Sequence, residues 1–357
     1  MVAYFFLVGV PCVLSIFFRL QGPRKISCKD IAIISFFSLY IIMLGCRNDT
    51  CGVDLQNYKH IFREDAELSW GHIFTGKIEQ GYHFLSKFIA WINFDFQFFL
   101  FVIAAVSVLP LLYLYKKESE IPLLTIALFI TIAPFSMYFS GLRQVCAMAF
   151  AVPAYYFSKR KKPICFLLTV ALAMLFHQSA FILALLYPAY HLRIRRNSLF
   201  VIVPLLVGVL IFNEQIFEFL LGFLSDSYVE KYSEYESTGA YTILIVLVVF
   251  AAYSFFMPRE MKLEEDVIGL RNLLLLSVLI QSFAPVHSLA MRFNYYYLIF
   301  VPILIPKIAN RSSSRNKPLA KLSVVAMCCF FTVYFFYYAY TSEDILNIYP
   351  YIPFWEG

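Results

Sequence analysis

The chain has 357 residues, of which 61% are hydrophobic, 19% aromatic and only 15% charged, with a formal net charge of +6. Soluble proteins carry about 25% charged residues, so this composition excludes an ordinary soluble protein. The apolar runs are continuous, which favours membrane-spanning helices over a β-barrel, whose strands alternate over about ten residues. The sequence therefore predicts an all-α polytopic membrane protein in which residues 1–357 form one membrane domain.

Lys and Arg clusters flank the apolar runs and are expected on the cytoplasmic side. The first span has no small-residue cleavage site after it, so a retained helix is predicted rather than a signal peptide. Two outer loops are predicted, at residues 46–94 and 214–239, and residues 80–94 have the apolar spacing of an amphipathic surface helix. The predicted spans are residues 2–20, 31–45, 97–115, 122–140, 144–158, 163–192, 199–213, 241–257, 272–289, 295–309 and 322–340.

The run 163–192 departs from the pattern because basic clusters lie at both of its ends. It is longer than the roughly 20 residues of one span and too short for two. We predict a broken pair of half-helices that turns at residues 176–179, which brings the total to about 12 transmembrane segments. His177 would then lie at a break, where polar groups are functional candidates. The alternative is one long tilted helix with His177 hydrogen-bonded inside the bundle.

Three arginines lie at predicted outer ends of membrane segments: Arg47, Arg143 and Arg292. A guanidinium group offers a planar fork of donors that suits phosphate and carboxylate oxygens. The arginines therefore predict a cavity for an anionic ligand such as a lipid-linked diphosphate. The alternative is structural, with each arginine paired to a loop carboxylate, such as Asp54 or Glu79, or to a headgroup phosphate.

Cysteine spacing predicts no zinc site. Most of the cysteines lie in apolar runs and are expected to be small buried residues. Cys46 and Cys51 share a polar loop, in which a disulfide bond is one alternative.

Five short motifs occur in order along most of the chain, and together they resemble the EpsG family of Wzy-like polysaccharide polymerases. The resemblance implies a glycosyltransferase with a GT-C-like fold in the bacterial cytoplasmic membrane. Such an enzyme joins polyprenyl-diphosphate-linked oligosaccharide repeat units at the outer face. The motifs are Arg47 with Gly52, Asp54 and Tyr58; Glu79–Tyr82; Ser140–Gln144; Phe176–Ala180; and Met291–Phe293 with Tyr295.

The resemblance also implies an inverting, metal-independent reaction without a cofactor. An acceptor hydroxyl would attack the anomeric carbon of the growing chain, and a base would take the proton. His177 could instead orient a phosphate or sugar oxygen, and the aromatic residues could belong to an interfacial belt. The implied roles are diphosphate binding by Arg47, Arg143 and Arg292, catalysis by Asp54, Glu79 and His177, and substrate binding by Tyr82, Gln144 and Tyr295.

The implied partners are an undecaprenyl-diphosphate-linked oligosaccharide and membrane lipid, with a chain-length regulator and a flippase in the same pathway and no role for nucleic acid. Three other functions use similar residues. A transporter or flippase would place charge along a full path and often shows repeats. A membrane acyltransferase would use a histidine near the start of the chain. A polysaccharide ligase would carry its large outer loop late in the chain.

Overall fold

The computed structural model describes residues 1–20, 28–75, 79–132, 134–222, 240–260, 263–341 and 346–356. Across these residues all the helices are α or 3₁₀, and the β structure is limited to two isolated bridges, Arg47 to Pro353 and Pro258 to Ser312. The predicted all-α class is therefore confirmed, and the apolar helices are compatible with a membrane protein.

The chain divides into two compact units, and the first comprises residues 1–183 and 325–357. Within it, α2 packs against α1, α6 and α7, and α9 packs against α6 and α10. The helices of this unit are α1 (Val2–Leu20), α2 (Cys28–Gly45), α3 (Leu55–Glu67), α4 (Trp70–Ile73), α5 (Gln80–Ile92), α6 (Phe96–Glu118), α7 (Pro122–Thr131), α8 (Met137–Ser140), α9 (Leu142–Ala149), α10 (Ala151–Lys159) and α11 (Pro163–Met174).

The second unit comprises residues 184–324. Its helices are α12 (Leu186–His191), α13 (Leu199–Ile211), α14 (Asn213–Leu221), α15 (Ala240–Phe256), α16 (Glu265–Gln281), α17 (Ser288–Leu298), α18 (Val301–Asn310) and the start of α19 (Lys317–Thr341), which ends in the first unit. Helix α16 is central and packs against α12, α15, α17 and α18. The expectation of one membrane domain over the whole chain stays a prediction.

Two helices in the described part of the chain, α6 and α19, are long and apolar enough to cross a membrane by themselves. Two further pairs have the required length and composition together but are bent, by 81° between α13 and α14 and by 50° between α17 and α18. The other apolar helices are shorter. The total of about 12 spans therefore stays a prediction, as does the GT-C-like arrangement.

Proline and turn residues divide several predicted spans. The span 122–140 becomes α7 and α8, with Pro134 between them, because proline has no N–H to donate and disfavours a helical residue before it.

Of the predicted outer loop 214–239, the first residues belong to α14, and residues 223–239 lie outside the described residues.

The predicted break near His177 is present. Helix α11 ends at Met174, and the chain continues as a 3₁₀ helix over Gln178–Leu185 and then as α12. The second half of the pair is therefore mainly 3₁₀ rather than α-helical. His177 lies between the two helical segments and is buried, at 5% exposure.

The predicted spans 272–289 and 295–309 imply a turn at residues 290–294, and this prediction is wrong. Helix α17 begins at Ser288 because the His287 imidazole caps it, with the Leu289 N–H donating to His287 Nδ1 at 3.1 Å. Arg292 is therefore a helical residue and does not lie in a loop between two spans. The side chain of Asn294, in the same helix, is buried and bonds to Ser277 and Gln281 of α16, at 2.6 and 2.7 Å.

The predicted outer loop 46–94 is largely helical, and the helix predicted at 80–94 is found as α5. Helices α3 and α5 pack against each other and onto α6 and α9. Their shared core is apolar and buried, so the burial of this surface holds the loop in one position. The cluster comprises Leu55, Tyr58, Phe62, Tyr82, Ile89, Phe99, Leu100, Ile103, Leu142 and Cys146.

Gly52, at the start of this loop, lies in close contact with α8. Its φ of +131° is rare for residues with a side chain, and a Cβ built there would lie 2.1 Å from the Phe139 carbonyl oxygen. Replacement of this glycine therefore has to move the backbone on both sides of the contact.

We predict that Gly52→Ala lowers the free energy of unfolding by about 2 kcal/mol or more, because it combines backbone strain with overpacking. Thermal unfolding of the detergent-solubilised protein measures the loss. Gly71→Ala is the matched control, since Gly71 lies in the same loop and a Cβ there meets no atom within 4 Å. Equal melting temperatures for the two variants would contradict this account of Gly52.

Candidate functional site

Glu79 begins α5 in an unusual backbone conformation. Its φ of 64° and ψ of 45° are left-handed, which costs a residue with a Cβ about 1–2 kcal/mol. Two residues later, the Gly81 N–H donates to the Leu175 carbonyl oxygen at 2.8 Å. A Cβ on Gly81 would lie only 2.9 Å from the Leu175 Cβ. This close approach brings Glu79 next to the non-helical residues that follow α11.

The Glu79 carboxylate accepts hydrogen bonds from three groups. Arg143 Nη1, in the first turn of α9, lies 2.7 Å from Oε2. His177 Nδ1 lies 2.5 Å from Oε1, and the Gln178 backbone N–H donates to the same oxygen at 3.2 Å. The carboxylate thus joins α5, α9 and the break after α11, and it is buried, since Glu79 is 9% exposed.

The surroundings of Glu79 favour its ionised form. Burial raises the pKa of the carboxyl group, but the hydrogen bond from His177, the charges of His177 and Arg143, and the Gln178 N–H outweigh it and lower the pKa to about 2. An acid with this pKa is a weak base at neutral pH. The geometry therefore suits Glu79 to hold and orient its neighbours rather than to accept a proton.

Arg143 packs on Tyr58, and Tyr58 packs on Tyr82. Both tyrosines belong to the buried apolar cluster of the loop 46–94. The Arg143 Cζ lies 5.7 Å from the ring centroid of Tyr58, within cation–π range. The Tyr58 ring packs on Tyr82 with centroids 5.8 Å apart. The Arg143 side chain keeps 23% exposure, so the guanidinium is held from below by aromatic rings and on one side by Glu79. Part of the guanidinium therefore remains accessible.

Three buried polar atoms around Glu79 have no hydrogen-bond partner within the described residues: His177 Nε2, Arg143 Nε and the Tyr82 hydroxyl. A buried polar group without a partner costs about 1–3 kcal/mol, so each of these atoms is a candidate to meet a water molecule or a ligand. Because Nδ1 faces the ionised Glu79, it carries the proton in a neutral ring and leaves a lone pair on Nε2. His177 can therefore accept a proton at Nε2.

Asp54 has a different partner. The Ser140 hydroxyl donates to Asp54 Oδ2 at 2.9 Å, and the Asp54 backbone N–H donates to Ser140 Oγ at 3.3 Å. Asp54 precedes α3, and Ser140 ends α8 just before Arg143. The pair therefore ties the outer loop to the segment that carries Arg143. Asp54 is half-buried and remains within the first unit near this segment.

Arg47 is covered by the C-terminal segment. It is 1% exposed, its Nη1 donates to the Leu44 carbonyl oxygen at 2.5 Å, and its Cζ lies 5.7 Å from the Phe139 ring. The Asn48 N–H donates to the Ile352 carbonyl oxygen at 2.8 Å, which holds the C-terminal segment over it. Burial lowers the pKa of the guanidinium to about 10. The pairing with loop carboxylates considered for Arg47 is not found among the described residues.

Cys46 and Cys51 are both thiols, so the alternative of a disulfide bond is not realised. The Cys51 Sγ instead lies 4.0 Å from the Ile348 carbonyl oxygen of the C-terminal segment.

The remaining predicted site residues have separate surroundings. Gln144 is buried beside Arg143 on α9, and Tyr82 is buried on α5. Arg292 and Tyr295 are half-buried on α17 in the second unit. Of the nine candidates, the structure brings Glu79, Arg143 and His177 into direct contact.

Sequence reasoning missed several residues that complete the site. Tyr58 and Ser140 lie inside the motifs that resemble the EpsG family. Their place within those motifs was the signal in the sequence that could have identified them. A buried pair, His83 with Asp65, also went unnoticed, with Nδ1 lying 2.8 Å from Oδ1. Lys87, one helical turn after His83, donates to the Ala66 carbonyl oxygen at 3.2 Å. The His83–Asp65 pair links α3 to α5. In the sequence, the one-turn spacing of His83 and Lys87 was the signal that could have identified it.

Metal coordination has no obvious location in the described part of the chain, where no group of three or more His, Cys, Asp or Glu side chains could hold an ion. Metal independence stays a prediction.

The family model described as the EpsG family matches residues 30–352 of the chain. The match extends over all five motifs and over both compact units. Searches of curated proteins and of solved structures each gave no significant match.

We predict that Glu79→Gln destabilises the protein by about 3 kcal/mol near pH 7, because it leaves the buried Arg143 and His177 without their carboxylate. The folded pKa of Glu79, about 2, lies below its value of about 4.3 in an unfolded chain. Its stabilising effect is therefore present above about pH 4.3 and is lost as the pH falls toward 2.

Melting temperatures of the wild type and Glu79→Gln between pH 3 and 7 measure this effect, and the difference between the two curves should shrink below about pH 4.3. The exposed Glu67→Gln is the control and should show little change. A difference that stays constant over the whole pH range would contradict the ionised state of Glu79.

Proposed function

The chain belongs to the EpsG family of membrane proteins associated with exopolysaccharide biosynthesis, and on that premise we propose that it is an inverting polysaccharide polymerase. It joins oligosaccharide repeat units carried on a polyprenyl diphosphate, undecaprenyl diphosphate in bacteria, at the outer face of the cytoplasmic membrane. Membrane lipid surrounds it, and a flippase and a chain-length regulator act before and beside it.

The observation that carries this proposal is the Glu79 cluster. It holds a guanidinium, which suits a diphosphate, next to an imidazole whose Nε2 atom is buried and has no partner within the described residues. A transferase with a diphosphate leaving group needs these two functions, charge stabilisation and proton removal. A glutamate between them fixes both side chains before substrate arrives.

In the proposed step, an acceptor hydroxyl oxygen attacks the anomeric carbon of the donor saccharide. The bond from this carbon to the diphosphate oxygen breaks, and the electron pair leaves with the diphosphate. The hydroxyl proton passes to His177 Nε2, which leaves an imidazolium beside the ionised Glu79. Attack opposite the leaving group inverts the anomeric configuration, and the reaction uses neither a metal nor a cofactor.

Arg143 binds the leaving diphosphate in this proposal. Glu79 binds one nitrogen of the Arg143 guanidinium, Nη1, and Nε is buried, so the partly exposed end of the guanidinium is the part that meets the diphosphate. The Tyr58 ring beneath it limits its movement, so the donors are oriented in advance. Arg292 stays a candidate for diphosphate binding and Tyr295 for substrate binding. Arg47, Tyr82 and Gln144 are at most 1% exposed, so in this proposal they support the site from within the protein rather than touch the substrate.

The surroundings of the three candidate bases favour His177. Glu79 accepts hydrogen bonds from Arg143, His177 and the Gln178 N–H, which hold it as a carboxylate and make it a weak base. The Asp54 carboxylate accepts a hydrogen bond from the Ser140 hydroxyl, and the Asp54 N–H donates to the same hydroxyl oxygen, so Asp54 already has a partner. We therefore assign proton transfer to His177, orientation of His177 and Arg143 to Glu79, and a supporting role to Asp54.

We predict that His177→Asn lowers the rate of polymerisation by 100-fold or more, the usual effect of losing a general base. The assay mixes the purified protein with its lipid-linked repeat unit and separates the glycan products as a ladder on a gel. Arg143→Ala should also abolish the ladder, and Asp54→Asn should weaken it less than either. His60→Asn is the control, because His60 is an exposed histidine of the outer loop.

Folding of each variant is checked by its elution in size-exclusion chromatography. Loss of the ladder in folded His177→Asn and Arg143→Ala supports the assignment. If the wild type forms no ladder but moves the lipid-linked unit across liposomes, the polymerase is excluded in favour of a flippase. Transfer of an acyl group to the glycan would favour the acyltransferase alternative in the same way.

A further inference from the structure

A cavity with a volume of about 740 Å³ opens on the surface of the first unit. The loop after α2, one side of α3, the start of α6 and Phe354 of the C-terminal segment form its walls. Glu79, Arg143 and His177 do not line it, so it is separate from the reaction centre proposed above. Its volume lies in the range of sites for small organic ligands, about 300–1,000 Å³.

The charges that line this cavity balance. Lys59 and Arg63 contribute two positive charges, and Asp49 and Asp95 contribute two negative charges. Lys59 Nζ lies 2.5 Å from Asp49 Oδ2, so one opposite pair is already formed. A balanced lining gives little net attraction for a diphosphate, in contrast to an accessible arginine, and it suits an uncharged polar ligand.

Several hydrogen-bonding atoms of the lining remain available. The side-chain oxygen of Asn48 accepts from Thr50, which leaves the amide nitrogen to donate. The amide nitrogen of Gln97 donates to the Gly45 and Arg47 carbonyl oxygens, which leaves its own oxygen to accept. Asp95 Oδ1 accepts from the Phe98 N–H, which leaves Oδ2. A sugar hydroxyl both donates and accepts, and it matches such a mixture of donors and acceptors.

Aromatic faces lie between these polar groups. Six phenylalanines line the cavity, and three of them, Phe94, Phe101 and Phe354, are exposed, at 59%, 43% and 47%. Phe94 stacks on Phe62 with ring centroids 5.8 Å apart and an interplanar angle of 17°. The negative face of an aromatic ring attracts polarised hydrogens, so it can pack against the C–H face of a pyranose. Apolar faces between polar edges match the two-sided character of a sugar ring.

Helix α3 connects the cavity to the proposed reaction centre. Tyr58 on this helix packs under Arg143, and the next residue, Lys59, lines the cavity, as do Phe62 and Arg63 one turn later. The burial of Tyr58 and Phe62 in the outer-loop core fixes the orientation of the helix. A ligand in the cavity is therefore held in a constant position relative to Arg143 within the same unit.

From the balanced charge, the available hydrogen-bonding atoms and the phenylalanine faces, we infer that this cavity is a saccharide subsite, which binds the uncharged sugars of the incoming repeat unit. The identity of the saccharide as a repeat unit rests on the proposed polymerase function. The subsite holds the acceptor beside the reaction centre and takes no part in the bond-breaking step.

Binding to the full-length protein in detergent tests the inference with two probes. The first is the repeat-unit oligosaccharide released from its lipid diphosphate by mild acid, and the second is inorganic diphosphate. We expect the double variant Arg63→Ala/Phe354→Ala to bind the oligosaccharide about tenfold more weakly and diphosphate equally well, because it loses a charged hydrogen-bonding group and an aromatic face of the cavity. Calorimetric titration measures both affinities.

The matched control is Arg160→Ala/Trp355→Ala, which removes an exposed arginine of the same unit and the exposed neighbour of Phe354, both outside the cavity. A second test variant, Asp95→Asn, keeps an oxygen to cap α6 but turns the other acceptor into a donor. It should weaken oligosaccharide binding without loss of folding. Wild-type affinity for the oligosaccharide in both test variants would overturn the inference.

The polymerisation assay separates this inference from the proposed function. With a preformed two-unit donor at saturation, the KM for the single-unit acceptor should rise about tenfold in Arg63→Ala/Phe354→Ala, with kcat unchanged. An unchanged acceptor KM in an active enzyme would overturn the subsite. If the wild type makes no ladder but binds the oligosaccharide, and the variant loses that binding, the subsite is supported while the polymerase fails.

Discussion

The carboxylate of Glu79 is the interaction on which the candidate site depends. Its two oxygens accept hydrogen bonds from a guanidinium, an imidazole and a backbone N–H, which come from three separate parts of the chain. A buried carboxylate is unfavourable unless such partners surround it, and the partners are equally unfavourable without it. The cluster is therefore stable only when α5, α9 and the break after α11 come together.

The backbone around Glu79 is consistent with this dependence. A left-handed glutamate and a glycine in contact with Leu175 each restrict the chain, and neither would persist without support from neighbouring elements. The support comes from the apolar core of the outer loop, in which Tyr58 and Tyr82 pack beneath Arg143. Hydrophobic burial thus holds a strained turn in place, and the strained turn orients the polar groups.

The core and the polar cluster have different consequences for chemistry. The core sets the position of α3 and α5 and so the distance between the Glu79 cluster and the cavity lined by Lys59 and Arg63. The polar cluster decides which imidazole nitrogen of His177 carries the hydrogen. Nδ1 donates to the ionised Glu79, and Nε2 has no partner within the described residues. The segment 46–94 therefore carries both the proposed reaction centre and part of the proposed saccharide subsite.

Much of the site could be predicted from residue types and their order. Glu79, Arg143 and His177 each stood out because a charged or titratable group adjoined apolar sequence, and all three lie in one cluster. Arg292 was misplaced, because the capping of α17 by His287 is a local contact that charge patterns do not reveal. Arg47 was expected to face a ligand, yet the distant C-terminal segment covers it, a contact that joins residues about 300 positions apart.

The amino-acid sequence by itself determined the helical class, the membrane character and the residues that carry chemistry, because composition and periodicity follow from the solvent that each face meets. Only the tertiary structure decided how those residues are arranged. Two distant segments supply the donors to Glu79, which is why we propose it as an anchor rather than a base, and Nδ1 of His177 faces Glu79, which leaves Nε2 for the proposed proton transfer. Hydrogen-bond partners and burial depend on long-range contacts, and these set protonation and orientation.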